Sequence, residues 1–99
     1  MNDASAGGDT VLRRIVTICN QRGLHARAAG RFVKLAGRFD AAITVSKGGQ
    51  SVSGLSIMGL MMLAAGPGSE IEITTDGADA VAAMEALTGL VDGGFEEED

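Results

Sequence analysis

The alternation of apolar and polar residues separates segments with the two-residue period of a strand from segments with the period of a helix. Strand-like segments, rich in β-branched residues, are residues 11–19, 40–46, 50–53 and 69–75. Helix-like segments are residues 25–39, 55–65 and 77–91. The Lys-Gly-Gly sequence at residues 47–49 predicts a hairpin between the second and third strands. The order βαββαβα predicts a two-layer α+β sandwich with its helices on one face of a sheet.

The two ends of the chain differ from this pattern and set the predicted domain limits. Residues 1–9 are small and polar, and residues 93–99, GGFEEED, are acidic, so both are predicted to be flexible tails around a domain of residues 10–92. The start lacks the basic and apolar stretches of a signal peptide. The longest apolar run is shorter than the ~20 residues of a membrane span. With a single cysteine, Cys19, these features predict a cytoplasmic protein without membrane insertion.

The first predicted helix has one apolar face and one basic face. At 100° per residue the apolar face contains Ala28, Ala29, Phe32, Leu35, Ala36 and Phe39. A basic row is formed by Arg27, Arg31, Lys34 and Arg38. All eight Lys and Arg residues lie before residue 48, and ten of the 13 acidic residues follow it. The basic row is therefore either a solvated face or a docking surface for an acidic partner.

His25 is the only histidine and stands at the N-terminus of this helix. One hypothesis is a solvated histidine without a role. The other is a covalent phosphoryl acceptor, since imidazole is nucleophilic near neutral pH and needs no separate base. A phosphoryl group there would meet the free N–H groups of the helix and the guanidinium of Arg27.

Other kinds of site find little support. One His and one Cys cannot complete a zinc site, so no metal is predicted. Cys19 is predicted to be a core residue, since it ends a β-branched strand. The chain contains no phosphate-binding glycine motif of nucleotide-binding proteins.

Three stretches together resemble the HPr phosphocarrier family of the bacterial phosphoenolpyruvate-dependent phosphotransferase system. They are GLHARAA at residues 23–29, LSIMGLMML at residues 55–63 and GSEIEI at residues 68–73, and the resemblance extends over residues 11–92. It implies an open-faced β-sandwich, in which three helices cover one face of a four-stranded antiparallel sheet.

The resemblance also implies a function. His25 would take a phosphoryl group on its pros nitrogen from enzyme I and pass it to a IIA-type acceptor, with Arg27 stabilising the phosphate. The protein would then be a monomeric carrier without a cofactor, and the reaction chemistry would belong to its partners. The implied partner contacts are Ala26, Ala28, Gly30, Arg31, Lys34, Ile57, Met58, Met61 and Met62.

The second predicted helix is apolar nearly all round, although a helix on an open-faced sandwich buries only one side. Part of it is therefore expected to be an exposed patch for binding partners, to which flexible methionines are suited. Ser56 has two interpretations. It is predicted to cap this helix. In part of the family the serine at this place is phosphorylated by an HPr kinase/phosphorylase, which would weaken the docking of acidic partners.

The branch of the family and two rival functions remain to be weighed. Sugar-transporting members usually have proline where this chain has Ala28, and HARAA followed by RFV is more similar to the nitrogen-related branch, NPr. That favours a regulatory relay. One alternative is an HPr-like regulatory domain that acts through Ser56 without carrying phosphate, against which the intact His25 and Arg27 argue. The other is a small nucleic-acid-binding module, which the absence of Trp and Tyr and the net charge of −5 disfavour.

Overall fold

A computed structural model of the chain describes residues 11–97. The predicted tail at residues 1–9 and the last two residues lie outside this range. The elements in chain order are β1 (Val11–Thr17), α1 (Ala26–Ala36), β2 (Ala42–Lys47), β3 (Gln50–Ser53), α2 (Ile57–Met62), β4 (Glu70–Asp76), α3 (Ala80–Asp92) and a 3₁₀ helix (Gly94–Glu96).

Within residues 11–97 the strands form one antiparallel sheet in the order β1-β4-β2-β3. The central strand β4 places Ile71 opposite Val16 of β1 and Ile73 opposite Val45 of β2. These four side chains are buried on the same face, as the two-residue period requires. The fold predicted from the sequence, an open-faced sandwich of sheet and helices, is confirmed.

The three helices lie on the buried face of this sheet. Helix α3 contacts β1 and β4, and α1 contacts both α2 and α3. Phe32 of α1 and Leu87 of α3 are fully buried with the inward residues of β4. The hydroxyl of Thr75 is also buried, but it donates to the carbonyl of Ala80 at 2.8 Å, so its polarity is satisfied.

The helices are shorter than the sequence predicts, and turn geometry explains each difference. Helix α1 ends at Ala36, before Gly37, and not at residue 39. Helix α2 covers six residues, because Ser56 caps its start and Ala64, just beyond it, has a φ of 53°. Helix α3 begins three residues later than predicted, after Gly77, whose φ is 134°.

The prediction of a flexible acidic tail from residue 93 is wrong for residues 93–97. Gly94–Glu96 forms a 3₁₀ helix, and the side chain of Phe95 is fully buried in the core. Phe95 and Glu96 both have positive φ, which costs non-glycine residues of order 1–3 kcal/mol each. Burying a phenylalanine side chain yields about 1.5–3 kcal/mol, which offsets a large part of that strain. The ordered domain therefore extends to Glu97.

Candidate functional site

His25 is positioned by a tight turn that follows β1. The backbone N–H of Gly23 donates to the carbonyl of Asn20 at 3.2 Å, and the Asn20 side-chain amide donates to the carbonyl of Gly23 at 2.9 Å. Asn20 is buried, so this second bond is shielded from water. The turn is thus closed twice, once by backbone and once by side chain, immediately before Leu24 and His25.

A glycine is required in this turn. Gly23 has a φ of 65°, and a Cβ atom there would lie 2.4 Å from the carbonyl oxygen of Ala65. The next residue, Leu24, donates its N–H to the same oxygen at 2.9 Å and is buried. The segment before His25 is therefore fixed against the connection between α2 and β4, which brings the histidine close to α2.

His25 is the N-cap residue of α1, but its ring does not cap the helix. Its backbone carbonyl accepts the N–H of Ala29 at 2.8 Å, while the side chain makes no hydrogen bond to the first helical turn. The side chain is 24% exposed. Free N–H groups and the helix dipole make this end of α1 favourable for an anion. The ring is thus accessible beside a place that favours an anion.

The Nε2 atom of His25 contacts the carboxylate of Glu97, Oε2. The other carboxylate oxygen, Oε1, accepts a hydrogen bond of 2.9 Å from the side-chain amide of Asn20. These two hydrogen bonds lower the pKa of Glu97 below its ordinary value, and the bond from Asn20 is the largest cause. Glu97 is therefore an anion at neutral pH, held between the turn and the histidine.

The segment that carries Glu97 is anchored to the domain at two points. Phe95 lies in the core, and its carbonyl accepts a hydrogen bond from the guanidinium of Arg31 in α1. Asn20 adds a third connection through its bond to Glu97. Its amide nitrogen faces two acceptors, the carbonyl of Gly23 and Oε1 of Glu97, which determines the orientation of the amide group. The position of Glu97 beside His25 thus results from packing on α1 and α3.

The four cations of the basic row differ in exposure. Arg27, Lys34 and Arg38 are exposed, whereas Arg31 is half-buried and bonded to Phe95. A shallow groove between α1 and α3 is lined by Arg31, Lys34, Leu35, Arg38, Leu90 and Glu96. Three of the four cations are therefore available on the surface, and Arg27 is the one in the first turn of α1 beside His25.

Helix α2 presents the exposed apolar patch that its sequence predicts. Within the helix Leu60 is fully buried, while Met58 is 69% exposed and Ile57, Met61 and Met62 are also exposed. Ser56 caps the helix, its hydroxyl accepting the N–H of Gly59 at 2.9 Å, so the capping prediction is confirmed. This apolar surface lies on a helix that packs against α1, which begins after His25 and carries the exposed cation Arg27.

These features match a known family over most of the chain. A family model described as the phosphorylation site of the HPr component of the phosphotransferase system (PTS) matches residues 12–92. The chain belongs to the HPr family. Its fold and the histidine-centred resemblance found in the sequence agree with that assignment, and members of the family are phosphocarriers of the phosphotransferase system.

HPr-family relatives of two names resemble this chain equally. Phosphocarrier protein HPr of Neisseria meningitidis is 49% identical over 87 residues, 88% of this chain and 98% of that protein. Phosphocarrier protein NPr of Shewanella violacea is 49% identical over 88 residues, 89% and 97% of the two chains. The crystal structure of phosphocarrier protein HPr from Bacillus anthracis aligns with a TM-score of 0.79 and 47% identity over 82% of this chain and 96% of that one.

Two residue-level predictions on this HPr-family chain are wrong. Ala28 is fully buried on the inner face of α1, so it cannot contact a partner as predicted. Cys19 is exposed and not in the core, because β1 ends two residues earlier, and its sulfur lies 3.5 Å from the carbonyl of Val91. Ala26 is exposed and Gly30 adjoins open space, as partner contacts require.

Three residues of the site are missing from the sequence-based prediction: Asn20, Phe95 and Glu97. Asn20 lies between the first predicted strand and the first predicted helix, and residues 93–99 are predicted only as a tail. The one available signal was Phe95, a large apolar residue in an acidic stretch, which is a candidate anchor. Nothing in the sequence pairs Glu97 with a histidine 72 positions away.

Two kinds of feature are absent from residues 11–97. In that range no group of three or more His, Cys, Asp or Glu side chains is arranged to hold a metal ion. None of the helices in the same range is both long enough and apolar enough to cross a membrane.

Proposed function

We propose that this HPr-family chain carries a phosphoryl group on His25, taken from enzyme I and passed to a IIA-type acceptor. The observation that carries the proposal is the placement of the only imidazole at the N-terminus of α1. There its ring is partly exposed and takes no part in capping the helix. A phosphoryl group on the ring would adjoin the N–H groups of α1 and the exposed Arg27.

Recognition of both partners uses one surface with two components. The exposed apolar side chains of α2, Ile57, Met58, Met61 and Met62, supply contact area that adapts to different partners. Arg27 and Lys34 supply charge that attracts acidic partners and accelerates encounter. Because neither component is part of the core, the surface can be altered without unfolding the domain.

The nitrogen-type branch and a regulatory role belong to the same proposal. The presence of Ala28 in place of the proline of sugar-transporting members supports a regulatory relay. Phosphorylation of Ser56 by an HPr kinase/phosphorylase would add about 1.5–2 negative charges beside the apolar patch and weaken docking of acidic partners. In the capping bond the Ser56 Oγ is the acceptor, so phosphorylation, which replaces only the hydroxyl hydrogen, does not require that this bond be lost.

The test is mass spectrometry after incubation with phosphoenolpyruvate and enzyme I from the same organism. We expect the wild-type protein and Ser56→Ala to gain one acid-labile phosphoryl group and His25→Ala to gain none. A folded wild-type protein that gains none in the presence of active enzyme I contradicts the carrier proposal. The chain would then be a regulatory HPr-like domain, and Ser56 its first candidate site.

A separate incubation with ATP and an HPr kinase/phosphorylase tests the serine. An acid-stable phosphoryl group on the wild-type protein and on His25→Ala, absent from Ser56→Ala, is the expected result. Unmodified wild-type protein in the presence of a kinase that modifies its own HPr would remove Ser56 from the proposal and leave the carrier role intact.

A further inference from the structure

The carboxylate of Glu97 is held in place before any phosphoryl group arrives. Its side chain is only 9% exposed, and each of its two oxygens has its own partner, Nε2 of His25 and the amide of Asn20. The segment bearing it is anchored by the buried Phe95 and by the bond from Arg31. A carboxylate fixed at both oxygens and through its backbone is preorganised for whatever it does to the histidine.

This contact determines which nitrogen of His25 carries the proton. An ionised carboxylate can only accept hydrogen bonds, so Nε2 must be the donor. In neutral imidazole the other nitrogen, Nδ1, then carries the lone pair. A carboxylate on one ring nitrogen also orients the ring, makes the free nitrogen more basic and stabilises positive charge that develops on the ring.

We propose that Glu97 is a positioning residue for phosphoryl transfer, which keeps the proton of His25 on Nε2 and leaves the Nδ1 lone pair as nucleophile. This inference rests on the proposed function of His25. It assigns to the ordered acidic segment a role in the reaction.

The transfer step is balanced without a further base. The Nδ1 lone pair attacks phosphorus, the Nδ1–P bond forms, and the bond from phosphorus to its donor atom breaks, its electron pair remaining with the donor. The Nε2 proton stays on the ring. The positive charge that the ring acquires faces the Glu97 carboxylate. In onward transfer the Nδ1–P bond breaks, its electron pair returns to Nδ1, and the charge disappears.

The direction from which the segment approaches favours positioning over obstruction. The 3₁₀ helix contacts α1 and α3, whereas the exposed methionines are on α2. Glu97 contacts Nε2, and the His25 side chain makes no hydrogen bond to the first turn of α1, where an anion is favoured. The carboxylate therefore occupies the nitrogen that the reaction does not use.

The first experiment reads the tautomer directly in the unphosphorylated protein. Because the chain has one histidine, its ring ¹⁵N signals need no assignment to a residue, and only Nδ1 and Nε2 have to be distinguished. At about pH 8, where imidazole is ordinarily neutral, we expect one tautomer with an observable proton on Nε2. In Glu97→Ala that proton should exchange too fast to observe and the nitrogen shifts should move toward those of free imidazole. Glu96→Ala, which removes the same charge from an exposed neighbour, should keep the wild-type spectrum.

The second experiment measures the rate of phosphorylation by enzyme I and of transfer onward. We expect Glu97→Ala to be slower by about tenfold in both directions, with partial recovery on addition of acetate, and Glu96→Ala to change less than twofold. Acetate replaces a lost carboxylate but repairs no packing defect. Both variants keep Phe95, and urea unfolding of each checks that the fold is unchanged.

The outcomes separate this inference from the function on which it rests. If the wild-type protein takes up phosphate and Glu97→Ala matches it in spectrum and rate, the positioning role is overturned and the carrier role stands. A faster Glu97→Ala also overturns it, since the segment would then obstruct the site. If the wild-type protein takes up none, the carrier proposal fails, and the spectra alone show whether Glu97 sets the tautomer.

Discussion

Helix α2 and the 93–97 segment both lie next to the site of His25, yet their apolar residues behave in opposite ways. In α2 most apolar side chains are exposed and only Leu60 is fully buried. In the 93–97 segment one apolar side chain stands among acidic residues, and it is fully buried. Burial near the site is thus determined by whether a side chain reaches the gap between the helices, and not by how apolar its neighbours are.

The difference corresponds to two kinds of contribution to the site of His25, an exposed contact surface and an anchored side chain. A short helix against the domain can bury one side only, so the apolar residues on its other side remain available for docking. The 93–97 segment instead uses its single aromatic as an anchor and thereby brings Glu97 to His25. In the proposed function, one region contacts the partner and the other positions the reacting group.

The largest expected effect comes from removing the anchor. Phe95→Ala should lower the free energy of unfolding by about 3 kcal/mol, because it empties a fully buried site in the core. It should also release Glu97 from His25, since the two positive-φ residues no longer have burial to offset their strain. Urea unfolding measures the first effect and the ¹⁵N spectrum of His25 the second.

The matched control is Met58→Ala, which truncates an apolar side chain of similar size in the exposed helix. Its unfolding free energy should change by less than about 0.5 kcal/mol. Equal losses in the two variants would show that α2 and the 93–97 segment do not differ as described.

The next effect should appear in partner binding and not in stability. Replacing both Met58 and Met62 by Ser should weaken enzyme I binding by about tenfold or more, since exposed apolar anchors contribute most to such contacts. Leu60→Ala should instead affect stability. It should lower the free energy of unfolding by about 2–5 kcal/mol, because Leu60 is fully buried. Calorimetric titration with enzyme I measures the change in binding, and urea unfolding measures the change in stability. Unchanged binding by the double variant would contradict α2 as docking surface.

The elements that sequence could predict are those with a local period. The strands and helices of residues 11–92 follow from alternation and from the apolar face of α1, since each depends on neighbours within a few positions. The exposed patch on α2 could be inferred as well, because a helix that is apolar all round cannot be buried all round. His25 was indicated by its rarity and by the helix that begins after it.

The 93–97 segment could not be predicted in this way, because its structure depends on distant residues. Its composition alone is typical of a solvated tail. What orders it is a space between α1 and α3 that accepts Phe95, together with Arg31 and Asn20, and none of these is adjacent in sequence. The error at Ala28 has a related cause: the family motif gave its place beside the histidine, whereas the helical period had already placed it inside.

The smallest expected effect is a pH dependence that arises from Glu97. The hydrogen bonds from Asn20 and His25 lower the pKa of Glu97 below its ordinary value of 4.5. Since the pKa is lower in the folded state, the contact contributes stability that is fully present above about pH 4.5. That contribution is lost as the pH falls through the lowered pKa. Between those values the unfolded chain binds more protons than the folded one, so stability should rise with pH there.

A carbon NMR titration of the Glu97 carboxyl group tests this dependence and the docking of the acidic segment together. The wild-type midpoint should lie below 4.5. Asn20→Ala and His25→Ala should each raise it, because the hydrogen bonds from these two side chains are the largest causes of the shift. Each variant needs a check that it remains folded. A wild-type midpoint at the ordinary value would mean that the carboxylate is solvated. The 93–97 segment would then resemble α2 in facing outward, and the contrast between the two regions would reduce to Phe95.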